Sequence, residues 1–187
     1  TSPWVGSLTL NNIYISNVNN QTGLTLFTEG SITLDNVQVN NSLGGADLNA
    51  GGKDEWGDVS GGVIVLNSKF NANRTFGAKI DTDGFVYITD SEFKFNALSK
   101  DQYDGYGLKI DSLSDVYLGT VDASYNEKFG ADVTSAATVS VSNSLFNGNL
   151  SYTHNCGYTH KTSRSCTEDP NGGYGLKIVT TDSAFLK

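Results

Sequence analysis

Apolar and polar residues alternate one for one in short runs along this chain. Ile32 and Leu34, Val86 and Ile88, Val116 and Leu118, and Val139 and Val141 each bracket a residue that points the other way. A period of two is the signature of strands with one face buried, and no stretch carries the 3.6-residue period of an amphipathic helix. The runs are about three to five residues long and are punctuated by Gly, Asn and Asp, which predicts short strands joined by tight turns.

The runs are also copies of one another. From Gly23 the chain reads GLTLFTEGSITLDNVQVNNS, from Gly77 GAKIDTDGFVYITDSEFKFNAL, and from Gly130 GADVTSAATVSVSNSLFNGN. Further copies open at Gly45, Gly107 and Gly175. The opening glycines lie 22, 32, 30, 23 and 45 residues apart, so the bare unit is about 22 residues and the longer intervals carry insertions. Hairpins would reverse alternate strands. Here the same strand returns in the same inside-outside phase, which predicts parallel stacking of successive coils at ~4.8 Å. A unit of this length with unequal sides resembles the right-handed parallel β-helix of the pectate-lyase-like superfamily. Left-handed hexapeptide helices, at about 18 residues per coil, rank second. The expected fold is therefore all-β, a right-handed parallel β-helix of about seven coils over residues 1–187. Three loop insertions are expected near 50–61, 98–105 and 150–173.

Two columns support that register. Asn12, Asn36, Asn67, Asp90, Thr120 and Asn143 fall at one corner of six successive copies. Asn tolerates the left-handed backbone that a sharp corner needs, and stacked amides can hydrogen-bond along the axis. Phe76, Tyr106, Phe129 and Tyr174 each stand immediately before an opening Gly and predict an aromatic column. Such a column either stabilises the corner or offers sugars a stacking surface.

Charge narrows the partners. A net charge of −8 argues against nucleic acid and anionic membrane surfaces, partners that need a basic face. No apolar run approaches the ~20 residues of a membrane-spanning helix. Gly6–Asn12 matches the second half of the unit, and the last copy stops at Lys187 before its Asn turn. This predicts a fragment or unit of a longer solenoid, whose partners are the rest of that solenoid or neighbouring copies.

Candidate chemistry is sparse. The outward residues after the opening Gly set Asp47 against Lys79, Lys109 against Asp132, and Asp81 beside Asp111. Opposite charges on neighbouring strands are ordinary sheet dressing. As an active face, which the resemblance implies for related lyases, Asp81, Asp111 and Lys109 would be the players. No Arg stands on that face to serve as the base those lyases use.

The insertions at 98–104 and 150–173 leave from equivalent corners, after Asn96 and Asn149, with a short turn in the copy between. Two tall loops around a low one predict a ligand cleft. Asp101, Tyr103, Asp104, Tyr158, His160 and Tyr174 would form its walls, and Tyr125, Glu127 and Lys128 its floor.

Cys156 and Cys166 fall with both histidines inside one insertion. A disulfide closing a loop, and with it an oxidising compartment, is the first reading. A zinc site using all four is the second. The acidic insertion with Asp54, Glu55 and Asp58 around Trp56 is either a solvated tip or a Ca²⁺ loop. N-glycosylation sequons stand at Asn20, Asn40, Asn73 and Asn149.

The expected function is an extracellular or cell-surface structural or adhesive module: a stalk, filament or matrix component. The alternative is a polysaccharide-binding or polysaccharide-degrading β-helix related to pectate-lyase-like enzymes.

Overall fold

A computed structural model of the chain describes residues 6–53, 59–96, 105–149, 157–159, 163–165 and 174–187. In chain order the strands are β1 (Leu8–Ser16), β2 (Thr22–Thr28), β3 (Ile32–Asn40), β4 (Gly44–Ala50), β5 (Gly52–Lys53), β6 (Val59–Ser60), β7 (Gly62–Leu66), β8 (Phe76–Thr82) and β9 (Phe85–Glu92). They continue with β10 (Tyr106–Ser112), β11 (Val116–Asp122), β12 (Phe129–Ser135), β13 (Val139–Ser142), β14 (Gly157–Thr159), β15 (Ser163–Ser165), β16 (Leu176–Thr180) and β17 (Ala184–Leu186). The described residues hold no helix.

Two parallel sheets dominate. One runs β1-β3-β7-β9-β11-β13-β17, and the other β16-β12-β10-β8-β4-β2. Successive strands of each sheet come from successive copies of the repeat, so the arrangement is that of a parallel β-solenoid. The alternating apolar residues read from the sequence all face inward. Ile32, Val63, Val86, Val116 and Val139 form one buried column, and Leu34, Val65, Ile88, Leu118 and Val141 form the next. Two small antiparallel pairs, β5 with β6 and β14 with β15, lie inside the expected insertions.

A third run of parallel hydrogen bonds follows the seven-stranded sheet around its corner. Lys69 N donates to Val37 O at 2.9 Å, Phe70 N to Glu92 O at 2.8 Å, Phe93 N to Asp122 O at 2.8 Å, and Ala123 N to Leu145 O at 2.8 Å. Its inward side chains include Phe70 and Phe93, fully buried and stacked with ring centroids 5.3 Å apart.

The corner between these runs is the one foreseen in the sequence. Asn12, Asn36, Asn67, Asp90, Thr120 and Asn143 all have positive φ, between 49° and 57°. One left-handed residue turns the chain while pairing continues on both sides. That explains why β1 and β3 reach nine residues where runs of three to five were expected. The amide ladder expected there is only partial. Asn36 Nδ2 donates to Asn12 Oδ1 at 2.8 Å, but Asn67 Nδ2 turns aside to Asp35 Oδ1 at 2.9 Å.

A second left-handed column lies five residues further on, at Asn17, Asn41, Ala72, Phe95, Tyr125 and Gly148. The residue after it is buried in five consecutive copies, Ser42 and then Asn73, Asn96, Asn126 and Asn149. These asparagines form the continuous ladder. The amides of Ser42, Asn73, Asn96 and Asn126 donate to the Oδ1 of Asn73, Asn96, Asn126 and Asn149 in turn, each at 2.9–3.0 Å.

The same ladder explains the opening glycines. A Cβ on Gly77, Gly107 or Gly130 would lie 2.7, 2.4 or 2.6 Å from the Nδ2 of Asn96, Asn126 or Asn149. Only a residue without a side chain lets the amide in. At the remaining corner, inward hydroxyls tie the turns. Ser112 Oγ donates to Gly84 O at 2.8 Å, and Ser135 Oγ to Ser114 O at 2.8 Å.

Candidate functional site

The outer face of the six-stranded sheet holds the charged residues singled out in the sequence. Its register is the one expected: Asp47 opposite Lys79, Lys109 opposite Asp132, and Asp81 opposite Asp111. The ion pairs fall differently. Lys109 Nζ reaches Asp111 Oδ2 in its own strand at 3.6 Å, and Asp132 Oδ1 is met by Lys177 at 3.3 Å. Side chains two apart on one strand share a face, so the pairing within β10 competes with the pairing across it.

Asp81, Lys109 and Asp111 are neighbours on this face. An ammonium held by a carboxylate can grip a ligand, but it is poorly placed to act as the base for proton abstraction. Among the described residues no group of three or more His, Cys, Asp or Glu side chains is arranged to hold a metal.

Beside this face runs the aromatic column. Tyr106 stacks on Phe129 at 5.2 Å, and Phe129 on Tyr174 at 5.6 Å with the rings 3° from parallel. Phe76 stands opposite Tyr106 in the register, and its ring lies against Gly44, 2.7 Å from where a Cβ would be. Lys128 Nζ sits 5.5 Å from the centroids of both Tyr106 and Phe129, within reach of a cation–π contact. Between the column and the charged face lies a groove of about 310 Å³ lined by Thr22, Asp47, Phe76, Lys79, Tyr106 and Lys109.

The three expected floor residues divide between two places. Tyr125 stacks on Phe95 at 5.3 Å, in a separate aromatic pair at the second left-handed corner, with its ring over Gly148. Lys128 lies against the aromatic column instead, and Tyr174, expected in the cleft wall, is part of that column. Glu127 is partly buried; burial pushes its carboxyl up, and its Oε2 has no hydrogen-bond partner among the described residues. Asp101, Tyr103, Asp104 and His160 lie outside the described residues, as do Asp54, Glu55 and Asp58 of the acidic insertion. Tyr158 is described only as part of β14. Cys156 and Cys166 also lie outside the described residues.

Two features were missed in the sequence. On the third run, Lys69, Glu92, Lys94 and Asp122 form a chain of ion pairs at 2.9, 3.0 and 3.1 Å. Burial pushes the Glu92 carboxyl up, but hydrogen bonds from Lys69 and Lys94 outweigh it and hold it at about 2. On the seven-stranded sheet, Tyr87 and Tyr117 stack at 4.9 Å on the outer face. The signal for both was present: each pair sits at equivalent places in adjacent copies. The sequons also divide. Asn73 and Asn149 are buried in the amide ladder, whereas Asn20 is exposed, so only the latter kind is open to a glycosylating enzyme.

No protein-family model, curated protein or solved structure matches the chain.

Proposed function

We propose that the chain is an extracellular structural or adhesive module, built as a right-handed parallel β-helix of about seven coils. The observation that carries this reading is the direction of its polar bonding. The amide ladder from Ser42 to Asn149 and the ion-pair chain from Lys69 to Asp122 both run from copy to copy along the stack. Bonding of that kind stiffens a rod, whereas a catalytic centre gathers its polar groups around one point. The partners of such a rod are neighbouring copies or the remainder of a longer solenoid.

A second reading, a polysaccharide-binding or polysaccharide-degrading β-helix, draws on the groove between the aromatic column and Lys79 and Lys109. Rings beside cations suit an acidic sugar chain. One experiment separates the two. Purified protein is imaged by electron microscopy and incubated with polygalacturonate and with neutral polysaccharides, with release of unsaturated or reducing ends followed over time. Rods or fibres with no release support the structural module. Sustained release of chain ends that stops in the Lys109→Ala variant would replace it with the enzyme.

A further inference from the structure

The outer face of the seven-stranded sheet carries an aromatic site that neither reading above uses. Tyr87 on β9 and Tyr117 on β11 stack at 4.9 Å with their rings 15° from parallel. The next strand in the same column supplies Ser140, and the strand after that Phe185. The column thus reads Tyr, Tyr, Ser, Phe, an aromatic ladder with one ring left out. Two strand spacings of ~4.8 Å separate the positions on either side of the gap. A single saturated ring that contacts an aromatic face on each side at ~3.5–4.0 Å fills such an interval.

On the Tyr87–Tyr117 side of that gap lies a cleft of about 310 Å³, lined by Phe85, Tyr87, Asp115, Tyr117, Thr138 and Ser140 among others and sharing Ser140 with the gap; Phe185 does not line it. Two glycines set the positions of its rings. A Cβ on Gly119 would come within 2.8 Å of the Tyr117 ring, so the ring leans over that glycine, and its hydroxyl lies 3.2 Å from Ser142 Oγ. Phe85 leans the other way, with its ring 2.8 Å from where a Gly62 Cβ would be. Phe85 and Tyr87 remain 42% and 41% exposed, and Phe185 53%. The fold does not require them, because the inward side of these strands is already filled by Val86, Ile88, Val116 and Leu118.

The polar rim is fixed as well. Asp115 Oδ1 accepts from Thr138 N at 3.0 Å, and Thr138 Oγ1 donates to Asp182 Oδ2 at 3.2 Å. Among the described residues the cleft is lined by one carboxylate and no Lys, Arg or His.

We propose that this cleft is a binding site for a hexopyranose unit of a neutral polysaccharide. The apolar face of the sugar would lie on Tyr117, with Asp115, Thr138 and Ser140 receiving its hydroxyls. Aromatic platforms with a few convergent polar groups are the general form of such sites, and the rim carboxylates disfavour acidic sugars. The site lies on a different sheet from the lysine-lined groove, and it stands whether or not that groove binds anything.

Affinity electrophoresis of the chain through gels containing β-glucan, mannan, xyloglucan, galactan or polygalacturonate tests the assignment. At least one neutral polymer should retard the wild-type protein. Tyr117→Ala should weaken that retardation at least tenfold, while Tyr117→Phe should retain it. Ser140→Tyr is the decisive variant, because it completes the aromatic ladder. It should keep or raise the melting temperature and still abolish binding. Lys79→Ala should leave retardation by the neutral polymer unchanged, and any retardation by polygalacturonate that it removes belongs to the other groove. The proposal is overturned if no neutral polymer retards the protein, or if Ser140→Tyr binds as well as wild type.

Discussion

Two asparagine columns run along this molecule, and they do different work with the same side chain. The outer column, at Asn12, Asn36, Asn67 and Asn143 with Asp90 and Thr120, has positive φ at every rung, but its amides are joined only at the first. The inner column, at Asn73, Asn96, Asn126 and Asn149, has no positive φ, yet its amides are joined at every rung. Outside, Asn is used for its backbone, and Asp or Thr can take its place. Inside, it is used for its amide; in the two copies where another residue stands, Val18 and Ser42, the ladder ends, with Val18 N donating to Ser42 Oγ at 3.3 Å. A buried backbone N–H needs an acceptor, and in this corner the neighbouring copy's Oδ1 is that acceptor.

The largest effect should come from breaking the inner column. Asn126 Oδ1 accepts from both Asn96 N and Asn96 Nδ2 at 3.0 Å, and Asn126 Nδ2 donates to Phe93 O at 2.8 Å. Asn126→Ala strands several buried groups, each costing ~1–3 kcal/mol, for a total loss of about 3–5 kcal/mol. Urea unfolding followed by circular dichroism measures it. Asn126→Gly should be no better than Ala; recovery by Gly would mean that backbone conformation governs this column too.

A smaller loss is expected from Gly107→Ala. The new Cβ would meet Asn126 Nδ2 at 2.4 Å and Gly130 O at 2.6 Å, an overpacking worth about 1–3 kcal/mol. Combined with Asn126→Ala, part of that clash disappears. The double variant should therefore lose less than the two single losses together. Strict additivity in the same urea series would dissociate the glycine from the ladder.

The outer column should respond in the opposite sense. Asn36→Ala places an ordinary side chain at φ 53° and removes the bond to Asn12, costing about 1 kcal/mol. Asn36→Gly frees the backbone and should restore most of it. Thermal melts of the pair decide the point, and a Gly variant as unstable as Ala would assign the outer amides a larger share.

How much of this was legible follows from the same contrast. The alternating strands, the six left-handed corner positions and the stacked column at Tyr106, Phe129 and Tyr174 were all readable, because each repeats at a fixed offset from a strand of clear period. The inner asparagines hide among turn residues, where Asn is common for other reasons. The Phe95-Asn96 and Tyr125-Asn126 dipeptides were their trace. The ion-pair chain followed the same rule and was overlooked, because an outward charge pattern is ordinary on a sheet. Lys69, Glu92 and Asp122 each stand two residues after the corner positions Asn67, Asp90 and Thr120. On the charged face the facing charges were legible but their ion pairs were not, because register alone does not choose between a partner across the sheet and one two residues along.

That ion-pair chain supplies the smallest effect, and a third kind of polar column: outward like the first, joined like the second. Glu92 has its carboxyl held at about 2, below the ordinary 4.5, so the folded state binds its proton more weakly than the unfolded chain does. The stabilisation is therefore complete above pH 4.5 and is lost as pH falls toward 2. Lys94 gives the mirror image: burial pushes its ammonium down, but Glu92 and Asp122 more than offset this and hold it above 10.5. Its contribution is complete below pH 10.5 and lost as pH rises through the raised value. Because the chain lies at the surface, screening should reduce the Glu92 term to about 1 kcal/mol in ordinary salt. Glu92→Gln should flatten the acid limb of the stability curve between pH 4.5 and 2 and reduce its dependence on sodium chloride. Burial pushes the Glu127 carboxyl the other way, so Glu127→Gln should leave the salt dependence alone and slightly raise stability at pH 7. An acid limb unchanged by Glu92→Gln would place this column with the outer asparagines, aligned along the stack but contributing little to its stability.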